Sequence, residues 1–149
     1  MTDKIIVSQS GAIARIIFNQ PEKRNAVSLE MWEAVEVALD KFAADKDVRV
    51  LILSGAGGKA FVSGADISKF ESERASADGV ARYNATTKRV YDKVEAFPKP
   101  TIAQIDGFCV GGGMALAVCC DIRICGQGSN FAIPAARLGL GYGFLGINR

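Results

Sequence analysis

Two glycine-centred stretches carry the chemistry this chain can offer. The first is Phe61-Val62-Ser63-Gly64-Ala65-Asp66-Ile67. The second is Ile105-Asp106-Gly107-Phe108-Cys109-Val110-Gly111-Gly112-Gly113-Met114-Ala115-Leu116. Three consecutive glycines present bare backbone that another molecule can approach closely. The apolar run behind them reads as a helix, whose first N–H groups have no intrahelical partners and lie at the positive end of the helix dipole. Such a turn favours an anion or a developing negative charge. Two donors of this kind aimed at one point would make an oxyanion hole.

The side-chain chemistry is narrower. The 149 residues include no histidine, so a Ser–His–Asp or Cys–His system is excluded within the chain. Proton transfer must use Asp, Glu, Lys, Tyr, Cys or water. The four cysteines, Cys109, Cys119, Cys120 and Cys125, form no Cys-x-x-Cys pair. They read as buried free thiols of a cytosolic protein, and no metal site is expected.

The elements that must position the two stretches follow from pattern. Hydrophobic residues make up 49% of the chain and charged ones 23%, which suits a single globular domain over residues 1–149. A net charge of +2, without a basic cluster interleaved with aromatics, argues against a nucleic-acid or anionic-membrane partner. Neither a signal peptide nor a membrane span is visible, so a cytoplasmic location is expected.

Lys4–Ser8 and Ala12–Phe18 read as strands around Gln9-Ser10-Gly11. Asn19-Gln20-Pro21-Glu22-Lys23-Arg24-Asn25 is a polar loop, and Ser28 is placed to cap a helix over Leu29–Ala44. Met31, Val35, Ala38, Leu39 and Phe42 form its core face. Val48–Leu53 reads as a buried strand. Gly55, Gly57 and Ala60 match the dinucleotide-binding pattern only loosely and read as a flexible turn. Asp66 or Ser68 would cap a short helix. A long helix lies within 75–97, with Val80, Tyr83, Thr87, Val90, Tyr91 and Val94 inward, ended by Pro98 and Pro100. Thr101–Ile105, a helix over Met114–Cys120, Ile122–Cys125 and Ser129–Ile133 follow. Alternating strands and helices predict parallel pairing with right-handed crossovers.

Five motifs in order, Asn19–Ser28, Phe61–Ile67, Pro98-Lys99-Pro100-Thr101-Ile102-Ala103, Asp106–Gly113 and Cys120-Asp121-Ile122-Arg123, resemble the enoyl-CoA hydratase/isomerase (crotonase) superfamily over essentially the whole chain. The resemblance implies an α/β crotonase-like (ClpP/crotonase) spiral of ββα units, here truncated at the C-terminus, that binds an acyl-CoA thioester. It implies the backbone N–H groups of Ala65 and Gly112 as oxyanion donors for a thioester enolate. It implies Ala65, Asp66, Ile67 and Ser68 along the coenzyme A path, with Gly111 and Gly112 at the thioester and Lys23, Arg24 and Ala26 in the loop toward its phosphates. Coenzyme A enters as part of the substrate, and no separate cofactor is implied. A homotrimer or hexamer is implied for a full-length chain, as is a place in fatty acid metabolism.

One departure alters the expected chemistry. The family's hydratases carry glutamates at the positions of Ala115 and Ala135. Adding water to an enoyl thioester needs a general base and a general acid beside the α,β bond, and both positions here end in methyl groups. The resemblance therefore implies thioester binding and enolate stabilisation without the usual hydratase pair. Leu138–Tyr142 also resembles the loop of methylmalonyl-CoA decarboxylases, which implies Tyr142 as an orienter of a substrate carboxylate. A non-catalytic acyl-CoA-binding protein or an inactive fragment is the third reading.

Overall fold

The computed structural model describes residues 2–73, 75–139, 141 and 144–148. Among them, eight strands and five α-helices follow in order: β1 (Ile5–Ser10), β2 (Ile13–Phe18), α1 (Leu29–Ala44), β3 (Val50–Gly55), β4 (Ala60–Val62), α2 (Phe70–Glu73), α3 (Ala77–Glu95), β5 (Thr101–Ile105), β6 (Phe108–Val110), α4 (Gly112–Cys119), β7 (Ile122–Cys125), β8 (Asn130–Ala132) and α5 (Phe144–Ile147).

Two sheets organise the chain. The larger has the order β1-β2-β3-β5-β7 and the smaller the order β4-β6-β8. The β1–β2 pair is an antiparallel hairpin, and every other pairing is parallel. After the hairpin the chain repeats one movement. It lays a strand in the large sheet, then one in the small sheet, and then returns through a helix. β3–β4–α3 and β5–β6–α4 are two such turns, and β7–β8 begins a third. This is the ββα spiral expected from the motifs. The short strands β4 and β6 lie inside stretches that read as turns in the sequence, because three residues are too few to show a period-2 pattern.

The core forms where sheet and helices face each other. Ala14, Ile16 and Phe18 alternate inward from β2, and Leu51 and Leu53 do so from β3. α1 buries Met31, Trp32, Ala34, Val35, Ala38, Leu39 and Phe42 against them. α3 packs on α1, burying Tyr83, Thr86, Val90 and Val94. Val80 is instead exposed, and Thr87 turns its hydroxyl back to the Tyr83 carbonyl 3.0 Å away. Ion pairs line the outer α1–α3 seam, with Arg82 on Glu33, Arg89 on Glu36, and Lys93 on Glu36 and Asp40. Such exposed pairs contribute less than about 1 kcal/mol each, so the seam is held mainly by its apolar face.

Two expectations are corrected. Ser28 takes the N-cap backbone conformation, but its side chain makes no cap bond; its Oγ is buried without a partner among the described residues. The Leu29 N–H is instead accepted by the Glu73 carboxylate at 3.0 Å. Cys125 is exposed, because β7 is an edge strand, while Cys109, Cys119 and Cys120 are buried. The stretch around Gly57 is a turn, as expected: Gly57 has φ +82°, and an added Cβ would stand 2.6 Å from the Pro21 ring.

Candidate active site

The parallel pairing of β4 with β6 decides where the two glycine stretches meet. Val62 is in register with Cys109, so the strands end side by side and their following turns emerge together. An ideal Cβ on Gly64 would lie 3.5 Å from the Val110 carbonyl oxygen, and one on Gly111 would lie 3.8 Å from the Gly64 Cα. The turns thus lie so close that a methyl group added to either glycine would touch the other turn, although 46 residues separate Ala65 from Gly111 in the chain (111 − 65).

The first turn is tied to the N-terminal loop. The Val27 N–H donates to the Gly64 carbonyl at 2.8 Å, and the Asp66 N–H donates to the Val27 carbonyl at 3.0 Å. This isolated parallel bridge between Val27 and Ala65 uses the Gly64 carbonyl and the Asp66 N–H, the groups on either side of Ala65. The Ala65 N–H itself has no partner among the described residues. Asp66 is buried and gathers the surrounding polar groups. Its carboxylate accepts from the Ser68 N–H and hydroxyl at 3.0 and 2.6 Å, Lys23 Nζ at 2.9 Å and Gln20 Nε2 at 3.3 Å. Burial alone pushes this carboxyl up, but the bonds from Ser68, Lys23 and Gln20 outweigh it and bring its pKa down to about 2. Asp66 is therefore an ionised anchor that caps the short turn at Ile67–Lys69, not a base.

The second turn is shaped by packing. Gly111, at φ +57°, donates to the Ala132 carbonyl of β8 at 2.8 Å, and its own carbonyl accepts from the Ala115 N–H at 3.0 Å as α4 begins. The Gly112 N–H has no partner among the described residues. A Cβ at Gly113 would be driven into the Val62 carbonyl, and 2.8 Å from the Val62 Cβ, so only glycine lets α4 press this closely on β4. The Tyr91 hydroxyl donates to the Gly112 carbonyl at 3.2 Å.

The remaining expected positions fall around these turns. Ala115 lies in the first turn of α4 and Ala135 opens a 3₁₀ turn just after β8; both are half-buried methyl groups. Ile67 is 77% exposed, an uncovered apolar side chain two residues beyond Ala65. Ser68 and Lys23 are joined at 2.8 Å. Ala26 is half-buried and donates to the Lys23 carbonyl. Arg24 is exposed, with its guanidinium 4.7 Å above the Phe108 ring. Tyr142 lies outside the described residues.

Two residues that hold the site were not singled out from sequence. Asn25 is fully buried at φ +55°; its Oδ1 accepts from the Gln20 N–H, and its Nδ2 donates to the Ala56 and Ala60 carbonyls. Asparagine's tolerance of the left-handed region is the signal that could have found it. Tyr91 read only as part of a helix face.

The thiols offer no nucleophile beside the turns: burial pushes Cys109 up to about 11 and Cys120 up to about 12. Asp121 is held low by the Thr101 N–H and hydroxyl, which it accepts at 2.7 and 2.8 Å. Among the described residues there is no cluster of three His, Cys, Asp or Glu that could hold a metal. No helix among them is long and apolar enough to cross a membrane.

A spiral of parallel ββα units with two adjacent turns, each with one N–H unpaired among the described residues, defines the class of α/β protein. Residues 8–149 match the model of the enoyl-CoA hydratase/isomerase family, and the chain belongs to that family. It is 33% identical over 147 residues to a short-chain-enoyl-CoA hydratase of Clostridium acetobutylicum, covering 99% of this chain and 56% of that protein. It is 35% identical over 144 residues to a mitochondrial Delta(3,5)-Delta(2,4)-dienoyl-CoA isomerase of Mus musculus, covering 91% and 44%. An enoyl-CoA hydratase/carnithine racemase structure from Magnetospirillum magneticum superposes with a TM-score of 0.92 at 38% identity, covering 99% of this chain and 55% of that one. The chain thus spans about half the length of the relatives it matches, and its spiral is crotonase-like.

Proposed function

We propose that this protein binds an acyl-CoA thioester and stabilises its enolate between the N–H groups of Ala65 and Gly112. The observation that carries this reading is the close approach of the two turns, with these two N–H groups left unpaired among the described residues. Preorganised donors of this kind each contribute about 3 kcal/mol to stabilising a developing oxyanion. The exposed Ile67 and the Ser68–Lys23 pair line the path for the pantetheine and adenine portions, and the exposed Arg24 faces the phosphates.

Rapid hydration is not part of the proposal. Ala115 and Ala135 cannot move a proton, and Asp66 and Asp121 are engaged in structural bonds that keep them ionised. The same two alanines favour a second reading, decarboxylation of a carboxylated acyl-CoA. Breaking the bond to the carboxylate leaves its electron pair on the α-carbon, so the enolate arises without a base.

Calorimetry with saturated, α,β-unsaturated and carboxylated CoA esters, run beside assays of hydration, isomerisation and CO₂ release, tests both readings. Saturable binding of the esters with negligible hydration is expected. CO₂ release selects the second reading, and binding without any turnover identifies an acyl-CoA-binding protein. No binding of any ester overturns the proposal.

A further inference from the structure

We propose that Tyr91 is the positioning residue of the second oxyanion donor, holding the Gly112 turn in the geometry that receives a thioester oxygen. This rests on the reading of Gly112 as a donor.

A triple-glycine turn has no side chain of its own to lock it, and glycine has more backbone freedom to lose than any other residue. Something outside the turn must therefore restrict it. The first turn is restricted by the Val27 bridge and the Asp66 network. The second has the Tyr91 hydroxyl, which donates to the Gly112 carbonyl at 3.2 Å. That bond restrains the peptide plane between Gly112 and Gly113, and with it the neighbouring Gly112 N–H.

Tyr91 is itself held. Its ring meets the Trp32 ring edge-on, with centroids 5.6 Å apart and planes at 80°. Trp32 is buried, and its Nε1–H donates to the Tyr83 hydroxyl at 3.3 Å. The packed α1–α3 seam thus sets the place of one oxygen atom at the turn. The absence of a side chain at Gly112 serves the same contact: a Cβ there would stand 3.1 Å from the Tyr91 Oη and 3.8 Å from the Trp32 Cζ2. A tyrosine that only packed would need its ring, not its hydroxyl against this carbonyl.

The test uses acetoacetyl-CoA, whose enolate absorbs in the near ultraviolet, and butyryl-CoA, which forms no appreciable enolate. On ionisation the proton on the carbon between the two carbonyls passes to solvent, and its electron pair delocalises onto the carbonyl oxygens. The wild-type protein is expected to enrich the bound enolate relative to free solution. Tyr91→Phe removes one oxygen and keeps the ring against Trp32. It is expected to lower the bound enolate-to-ketone ratio by about fivefold, the scale of one neutral hydrogen bond, with butyryl-CoA affinity unchanged. Should Tyr91→Phe not fold, Tyr91→His keeps a ring and an N–H donor and is expected to retain the enrichment; loss of enrichment in a folded Tyr91→His overturns the proposal. Equal enrichment in wild type and Tyr91→Phe overturns the role of Tyr91 alone, as does an equal weakening of both ligands. Failure of the wild-type protein to enrich the enolate removes the oxyanion reading and the role of Tyr91 together.

Discussion

The two turns are held side by side by opposite means. The turn at Ala65 is held by charge. A buried carboxylate, Asp66, draws in Lys23, Ser68 and Gln20 and so binds the turn to the N-terminal loop. The turn at Gly112 is held by shape. Gly113 seats α4 against Val62, and one neutral hydroxyl restrains the peptide that follows Gly112. The first arrangement should respond to pH and to loss of a partner charge, whereas the second should respond to a single added carbon atom and be indifferent to pH.

The largest effect is expected from Gly113→Ala. The new Cβ meets backbone, which cannot rotate away, so α4 must shift off β4. A loss of about 3 kcal/mol is expected from overpacking of this kind, read by urea denaturation followed by circular dichroism. A stability within experimental error of wild type would show that the Gly113–Val62 contact yields freely.

Asp66→Asn is next, at about 2 kcal/mol. The folded pKa near 2 lies below the ordinary 3.8, so ionised Asp66 favours the folded state above about pH 4, and this contribution is lost as pH falls through 3.8 toward 2. Wild-type stability should therefore drop over that interval, and Asp66→Asn should remove this part of the drop. Parallel acid titrations of the two proteins check it; identical curves would assign the acid sensitivity to other groups.

Tyr91→Phe should cost no more than about 1 kcal/mol at any pH, since a single neutral hydrogen bond is removed. Thermal melts at two pH values measure it, and a pH-dependent difference would break the contrast between the turns. Lys23→Met should be smallest, below about 1 kcal/mol, because its ammonium is half in solvent. It should nonetheless raise the acid midpoint of Asp66, which carboxyl NMR titration can follow.

Much of the spiral was legible in the chain. The apolar run Leu51–Leu53 and the 3.6-residue periodicity of Met31, Val35, Ala38, Leu39 and Phe42 reflect burial that recurs at each turn of an element. The five motifs marked the family, which the match over residues 8–149 bears out. Of the small sheet only β8 was legible, within Ser129–Ile133; β4 and β6 were not, because they are three residues each and are stabilised by their neighbours rather than by local pattern. Asn25 and Tyr91 were missed for a related reason. The partners of Asn25, Ala56 and Ala60, lie over 30 residues away, and that of Tyr91, Gly112, lies 21 residues away. Ser28 shows the converse: its type and place suit a local cap, but Glu73 supplies the acceptor for Leu29 from across the fold.

The amino-acid sequence by itself determined which chemistry residues 1–149 can offer. It places methyl groups at Ala115 and Ala135 and contains no histidine, and it supplies the glycines that leave backbone N–H groups accessible. Folding cannot create a missing carboxylate or imidazole. Only the tertiary structure decided that the two glycine stretches lie at one place, that Asp66 is held in a network of structural bonds, and that a tyrosine of α3 reaches the second turn. Those outcomes depend on the parallel register of β4 with β6 and on the packing of α3 across α1 and α4. Such long-range pairings are set by burying a common core, and no local pattern of residues records them.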